Sequence, residues 1–187
     1  MKTILQVEDD PNDVFLFQHA MTKAGVTNPV QVAIDGQQAI DYLQGVGKFG
    51  NREKFPFPSL VLLDLKLPYV MGLDVLKWIR QQPGTALTVL MLTASGEEAD
   101  IVTAYRLGAN GFLTKPSEAH KLHDMVKAIN DFWLTHNTLP SDFSAESPME
   151  GVVSLVRSTT TDFAPRGRPA NGARREEWPQ DMKRNHE

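Results

Sequence analysis

Polar residues that can do chemistry stand directly after short apolar runs at four places in the chain. Glu8 and Asp9 follow residues 3–7, Asp64 follows residues 59–63, Thr93 and Ala94 follow residues 87–92, and Lys115 and Pro116 follow residues 111–113. If folding gathers these groups, Glu8, Asp9 and Asp64 form a crowd of acids, and each close carboxylate pair repels by about 4 kcal/mol at an effective dielectric near 20. Either one acid stays protonated or a cation sits among them. Hard oxygen ligands suit Mg²⁺, which takes one or two carboxylates and completes its shell with water and phosphoryl oxygen. Asp9 and Asp64 are the expected direct ligands, the backbone carbonyl of Lys66 a third, and Glu8 binds directly or through water. A carboxylate so placed can attack phosphorus, with the Lys115 ammonium spreading the charge that builds on the equatorial oxygens. Thr93 can donate its hydroxyl to a phosphoryl oxygen, and Ala94 leaves room for the approach.

Positioning these groups requires a parallel sheet. Residues 1–134 alternate short apolar runs with stretches whose apolar residues fall three and four apart, the pattern of strand, helix, strand, helix. Strands are expected at 3–7, 30–34, 59–63, 87–92 and 111–113. Leu60, Val61, Leu62 and Leu63 are apolar in succession, as are Val89, Leu90, Met91 and Leu92, which fits strands covered on both faces. Asp10 and Pro11 read as the N-cap and first turn of a helix that Gly25 closes. After Ser117, Leu122, Met125, Val126, Ile129 and Trp133 make the stripe of the last helix. The predicted fold is α/β, a five-stranded doubly wound parallel sheet in the order 2-1-3-4-5 with helices on both faces. In such sheets the ligand crevice lies beyond the carboxyl ends of the strands, where all the polar residues above fall.

The 187 residues carry a net charge of −4, which offers no global pull toward nucleic acid or an anionic membrane. With no cysteine, thiol chemistry and disulfides are excluded, and a cytoplasmic home is the expectation. No run approaches the length of a membrane span, and the amino terminus is too short in apolar residues for a signal sequence. Texture changes near residue 136: residues 137–187 are rich in Pro, Ser, Thr and Arg without a sustained stripe, and are expected as a largely disordered, flexible tail to a domain at 1–136. Val152, Val153, Leu155 and Val156 form its one apolar island, and Arg166, Arg168, Arg174 and Arg175 are followed by acids, as in a solvated mixed-charge tail.

Glu8-Asp9, Leu63-Asp64-Leu65-Lys66-Leu67-Pro68, Thr93-Ala94 and Lys115-Pro116, in this order and each at a strand end, resemble the receiver domains of response regulators of the chemotaxis-regulator type. The likeness runs from residue 2 to about 135. It implies a two-component phosphorelay in which Asp64 is the phosphoacceptor, Glu8 and Asp9 are the Mg²⁺ acids, and the bond before Pro116 is cis. It also implies that Phe112 is the aromatic that moves inward when Thr93 follows the phosphoryl group, here without the hydroxyl of the more common tyrosine. The long stretch 45–58, with Tyr42 before it and Phe55-Pro56-Phe57-Pro58 at its end, is similar to stand-alone receivers that partner phytochrome-like sensor histidine kinases. Such relatives dimerise through the fourth helix, fifth strand and fifth helix. Relatives usually carry Asp or Asn before Gly72; this chain has Met71, which disfavours positive φ, so the loop after Asp64 is expected to differ in shape.

The implied protein is a signalling switch rather than an enzyme, with phosphodonor-driven self-phosphorylation and slow autodephosphorylation. A phosphatase of the haloacid-dehalogenase type would have a second Asp where Lys66 stands. A nucleotide-binding reading fails at the first turn, where Glu8, Asp9 and Asp10 would repel phosphate. The remaining rival is a receiver-like interaction module that does not switch, with Phe112 and Met71 as its warrants. Trp78 lies off the Leu73, Leu76, Ile79 stripe and reads as core rim. The five histidines show no metal-ligand spacing and receive no chemistry.

Overall fold

The computed structural model describes residues 2–83, 86–94 and 96–138. The tail expected at 137–187, with its apolar island and arginine run, lies outside the described residues from 139 onward.

Five strands, β1 (Ile4–Val7), β2 (Val30–Ala33), β3 (Leu60–Leu63), β4 (Thr88–Thr93) and β5 (Gly111–Thr114), form one sheet in the order β2-β1-β3-β4-β5. All four pairings are parallel. The three inner strands are buried along their whole length, while the edge strands β2 and β5 are only partly covered. The mostly apolar sequence of the inner strands, broken only by the buried Gln6, Thr88 and Thr93, reflects helices on both faces. Alternation of side chains divides the interior in two. Leu5, Val7, Val61, Leu63, Val89 and Met91 pack with α2 (Gly36–Gln44), α3 (Gly72–Gln81) and Ala104 of α4 (Glu98–Arg106). Ile4, Leu60, Leu62, Leu90 and Leu92 pack with α1 (Pro11–Lys23) and α5 (Ala119–Ile129). Trp78 is half-buried against the first of these clusters, at the rim as its position off the stripe predicts.

Helix ends follow local chemistry. The Asp10 carboxylate accepts from Asn12 N at 2.8 Å, and Pro11 takes the first turn, where its missing N–H is no loss. Gly25 closes α1 at φ 72°. The fifth helix runs on as a π-helical segment, Asn130–His136. Its five-residue step turns Leu134 into the core beside Ile129, while Trp133 packs half-buried against the same cluster. A stripe read at 3.6 residues per turn reaches Trp133 but leaves out Leu134.

The stretch between α2 and β3 has an aromatic core of its own. Tyr42, Phe49 and Phe55 meet edge to face at centroid distances of 5.2 to 6.2 Å. Arg52 donates to the carbonyls of Tyr42 (2.8 Å), Leu43 (2.7 Å) and Phe55 (3.3 Å), so that it caps α2 from outside and ties the loop to the helix. The Tyr42 hydroxyl donates to Pro56 O at 2.7 Å. Burial pushes this phenol up to about 12, against the small opposing pull of Arg52.

Candidate functional site

The register of the sheet brings the polar residues together. Val7 is paired with Leu63, Leu63 with Met91, and Thr93 with Thr114, so the strands end nearly level. The ladder continues past them, with Glu8 N donating to Ala33 O, Asp64 N to Val7 O and Lys115 N to Thr93 O. Glu8, Asp64 and Thr93 are buried, Asp9 and Ala94 exposed, and Lys115 is half-buried.

Carboxylate oxygens of Glu8, Asp9 and Asp64 lie within 4.8 Å of one another, close enough to share one ion. The Lys115 ammonium reaches across from β5 and hydrogen-bonds Glu8 Oε2 and, at 2.8 Å, Asp13 Oδ2, with Asp64 Oδ2 at 3.5 Å. Burial alone would lower the lysine, but its hydrogen bonds to Asp13 and Glu8 and the charges of Asp64 and Glu8 outweigh this and hold it above the ordinary ammonium range. Burial likewise pushes the Glu8 carboxyl up; Lys115 offsets only part of that push, and the Asp64 charge adds to it. One ammonium among four carboxylates leaves a local excess of negative charge that a divalent cation would neutralise, and the donor set is all hard oxygen. The residues present thus fit Mg²⁺ or a similar ion. Lys66 is exposed two residues beyond Asp64, where its carbonyl is the candidate further ligand.

Asp64 is fixed in place. Its Oδ1 accepts from Leu65 N at 2.7 Å, while Oδ2 faces Lys115. Gly72 N donates to Leu65 O at 3.0 Å and brings the start of α3 so close that a Cβ on Gly72 would lie 1.9 Å from Asp64 O. Gly36, at the start of α2, abuts the same loop, and a Cβ there would lie 2.0 Å from Val70 O. Two helix N-termini therefore clamp the segment 65–71.

Several sequence expectations change here. No cis peptide bond occurs among the described residues, so the Lys115–Pro116 bond is trans. Trans is the default for an X–Pro bond by about 0.5–1 kcal/mol, and Lys115 reaches Glu8 and Asp13 from it. Met71 needs no positive φ: it sits at φ −65° as the residue before α3, and Tyr69 takes the left-handed position at φ 65°. What Met71 lacks is a side-chain cap, since nothing on it accepts from the first turn of α3. Thr93 ends β4 rather than following it, and is fully enclosed. Phe112 is half-buried against the core, its ring edge beside Gly96. Asp13 escaped notice in the sequence because an acid in the first turn of α1 reads as an ordinary helix-dipole charge.

A doubly wound sheet in this strand order with an acid group and a lysine at its carboxyl edge defines a receiver domain, and the chain belongs to the response regulator receiver domain family, whose model matches residues 4–127. Response regulator Rcp1 of Synechocystis sp. is 38% identical over 141 residues, which span 75% of this chain and 94% of Rcp1. Among solved structures, the Mn²⁺-bound form of Rcp1 is similar with a TM-score of 0.67 at 37% identity, covering 75% of this chain and all of that one. The phosphorylated cyanobacterial phytochrome response regulator RcpA has a TM-score of 0.69 at 38% identity, covering 75% of this chain and 99% of that one. The chain is thus a two-component receiver whose relatives include phytochrome response regulators. No helix among the described residues is long and apolar enough to cross a membrane.

Proposed function

We propose that the chain is a single-domain response regulator that accepts a phosphoryl group on Asp64 from a sensor histidine kinase, in a Mg²⁺-dependent reaction, and answers by changing its surface. The observation that carries this reading is the buried Asp64 carboxylate, held by Leu65 N within the acid group, with Lys115 Nζ 3.5 Å from its outer oxygen. An Asp64 oxygen forms the new bond to phosphorus as the bond to the donor's leaving group breaks, and the leaving group departs with its electron pair. A divalent cation held by Asp9, Asp64, the Lys66 carbonyl and Glu8 would neutralise charge on the phosphoryl oxygens. Lys115 pairs with one of those oxygens and Thr93 donates its hydroxyl to another, while Ala94 leaves the approach open. The likeness to phytochrome response regulators supports a phytochrome-like kinase as donor. The domain turns over no substrate of its own, and water slowly removes the phosphoryl group.

The surface change follows Thr93, which drags on the β4–α4 loop, and Phe112, whose ring edge lies beside that loop at Gly96. The same reading includes a homodimer through α4, β5 and α5, where Val102 and Tyr105 of α4 stand exposed. Incubation with Mg²⁺ and acetyl phosphate should yield an acid-labile adduct that Asp64→Asn abolishes. An adduct that persists in that variant would overturn the assignment. Wild-type protein that takes up beryllofluoride with no change in the Phe112 environment would favour the non-switching module.

A further inference from the structure

We propose that Asp13 is a positioning residue that parks the Lys115 ammonium away from Asp64 in the resting protein, so that a phosphoryl group on Asp64 must win the lysine from it. The inference rests on the phosphoacceptor reading of Asp64. Its ground is the asymmetry around Nζ, which hydrogen-bonds Glu8 and Asp13, the latter at 2.8 Å, but stands 3.5 Å from Asp64 Oδ2. The resting lysine therefore sits against Glu8 and Asp13 rather than against Asp64. Asp13 differs from the other acids in two ways. It lies outside the three whose oxygens converge, so its own oxygen stays available to the ammonium whether or not those three hold an ion. Its side chain is 36% exposed, against 4% for Glu8 and 10% for Asp64, so the pair it makes is the one that water can most readily replace. With Asp13 the acid most open to water, this ion pair is the most screened of the three. It can hold the lysine at rest and release it without a large barrier to switching.

The bland alternative is an acid in the first turn of α1 that merely suits the helix dipole. The two differ in their dependence on Lys115. Beryllofluoride binding to the Mg²⁺-loaded full chain, followed by fluorescence or NMR, should tighten about three- to fivefold in Asp13→Asn, and Asp13→Glu, which keeps the charge, should stay within about twofold of wild type. In a Lys115→Gln background Asp13→Asn should have no further effect. Equal tightening with and without Lys115 would assign the effect to general charge and overturn the parking role, as would unchanged affinity in the single variant. Failure of wild-type protein to bind beryllofluoride at all would instead sink the phosphoacceptor reading, and this inference with it.

Discussion

Replacing Gly72 by Ala should uncouple Asp64 from its chemistry although neither residue changes charge. At an ordinary first-turn position the change would favour the helix by up to about 1 kcal/mol. Here the added Cβ would lie 1.9 Å from Asp64 O, 2.9 Å from Asp64 C and 3.0 Å from Leu65 Cα. All three are backbone atoms and cannot rotate away. Restoring a contact of about 3.2 Å to the carbonyl oxygen demands a shift of roughly 1.3 Å, which overpacking studies value at about 1–3 kcal/mol. The shift cannot be shared widely, because Asp64 N is tied to Val7 O and Gly72 N to Leu65 O. Displacing a reacting group by about 1 Å costs on the order of 100-fold in rate. The assay is the rate of Asp64 modification by acetyl phosphate with Mg²⁺, beside the urea midpoint of unfolding. Gly25→Ala is the control, since Gly25 has positive φ but nothing within 4 Å of its added Cβ; it should lose about 1 kcal/mol of stability and no reactivity. A Gly72→Ala protein with wild-type stability and wild-type reactivity would refute the clash argument.

Met71→Asn should raise stability by about 1 kcal/mol in denaturant unfolding, because it adds the side-chain acceptor missing before α3; no gain would mean the loop cannot orient the cap. Tyr42→Phe should cost about 1–2 kcal/mol at pH 7, as Pro56 O loses its 2.7 Å hydrogen bond. The same phenol is raised from 10.0 to about 12 by burial, so its stabilising contribution is whole below pH 10 and is lost as pH climbs toward 12. Wild-type stability should therefore fall by roughly 2–3 kcal/mol across that window, and the Phe variant should lack this part of the fall in urea midpoints measured from pH 9 to 12.

The two faces of the sheet and the gathering of Glu8, Asp9 and Asp64 were legible in the chain because they follow from rules that act over a few residues, whereas the strand order was expected from the fold class as a whole. Unbroken apolar runs mean strands covered twice, and residues just past such runs must share one edge. Asp10, Pro11 and Gly25 bounded α1 for equally local reasons. The rest depended on atoms far apart in sequence. Asp13 joins Lys115 across 102 residues only because β5 ends level with β4 and the lysine is long enough to cross the sheet. Gly36 and Gly72 look like ordinary helix starts until the loop 65–71 is packed between them. Leu134 joins Trp133 on the core because of a five-residue step that no periodicity announces. Met71 proved harmless in φ because the strained position fell to Tyr69. Composition and pattern determined that Glu8, Asp9, Asp64, Thr93 and Lys115 meet at the sheet edge, but not that Asp13 joins them. Their distances, and so which acid holds the lysine and which glycine guards Asp64, were decided by close packing in three dimensions, where a difference of about 1 Å separates a contact from a clash.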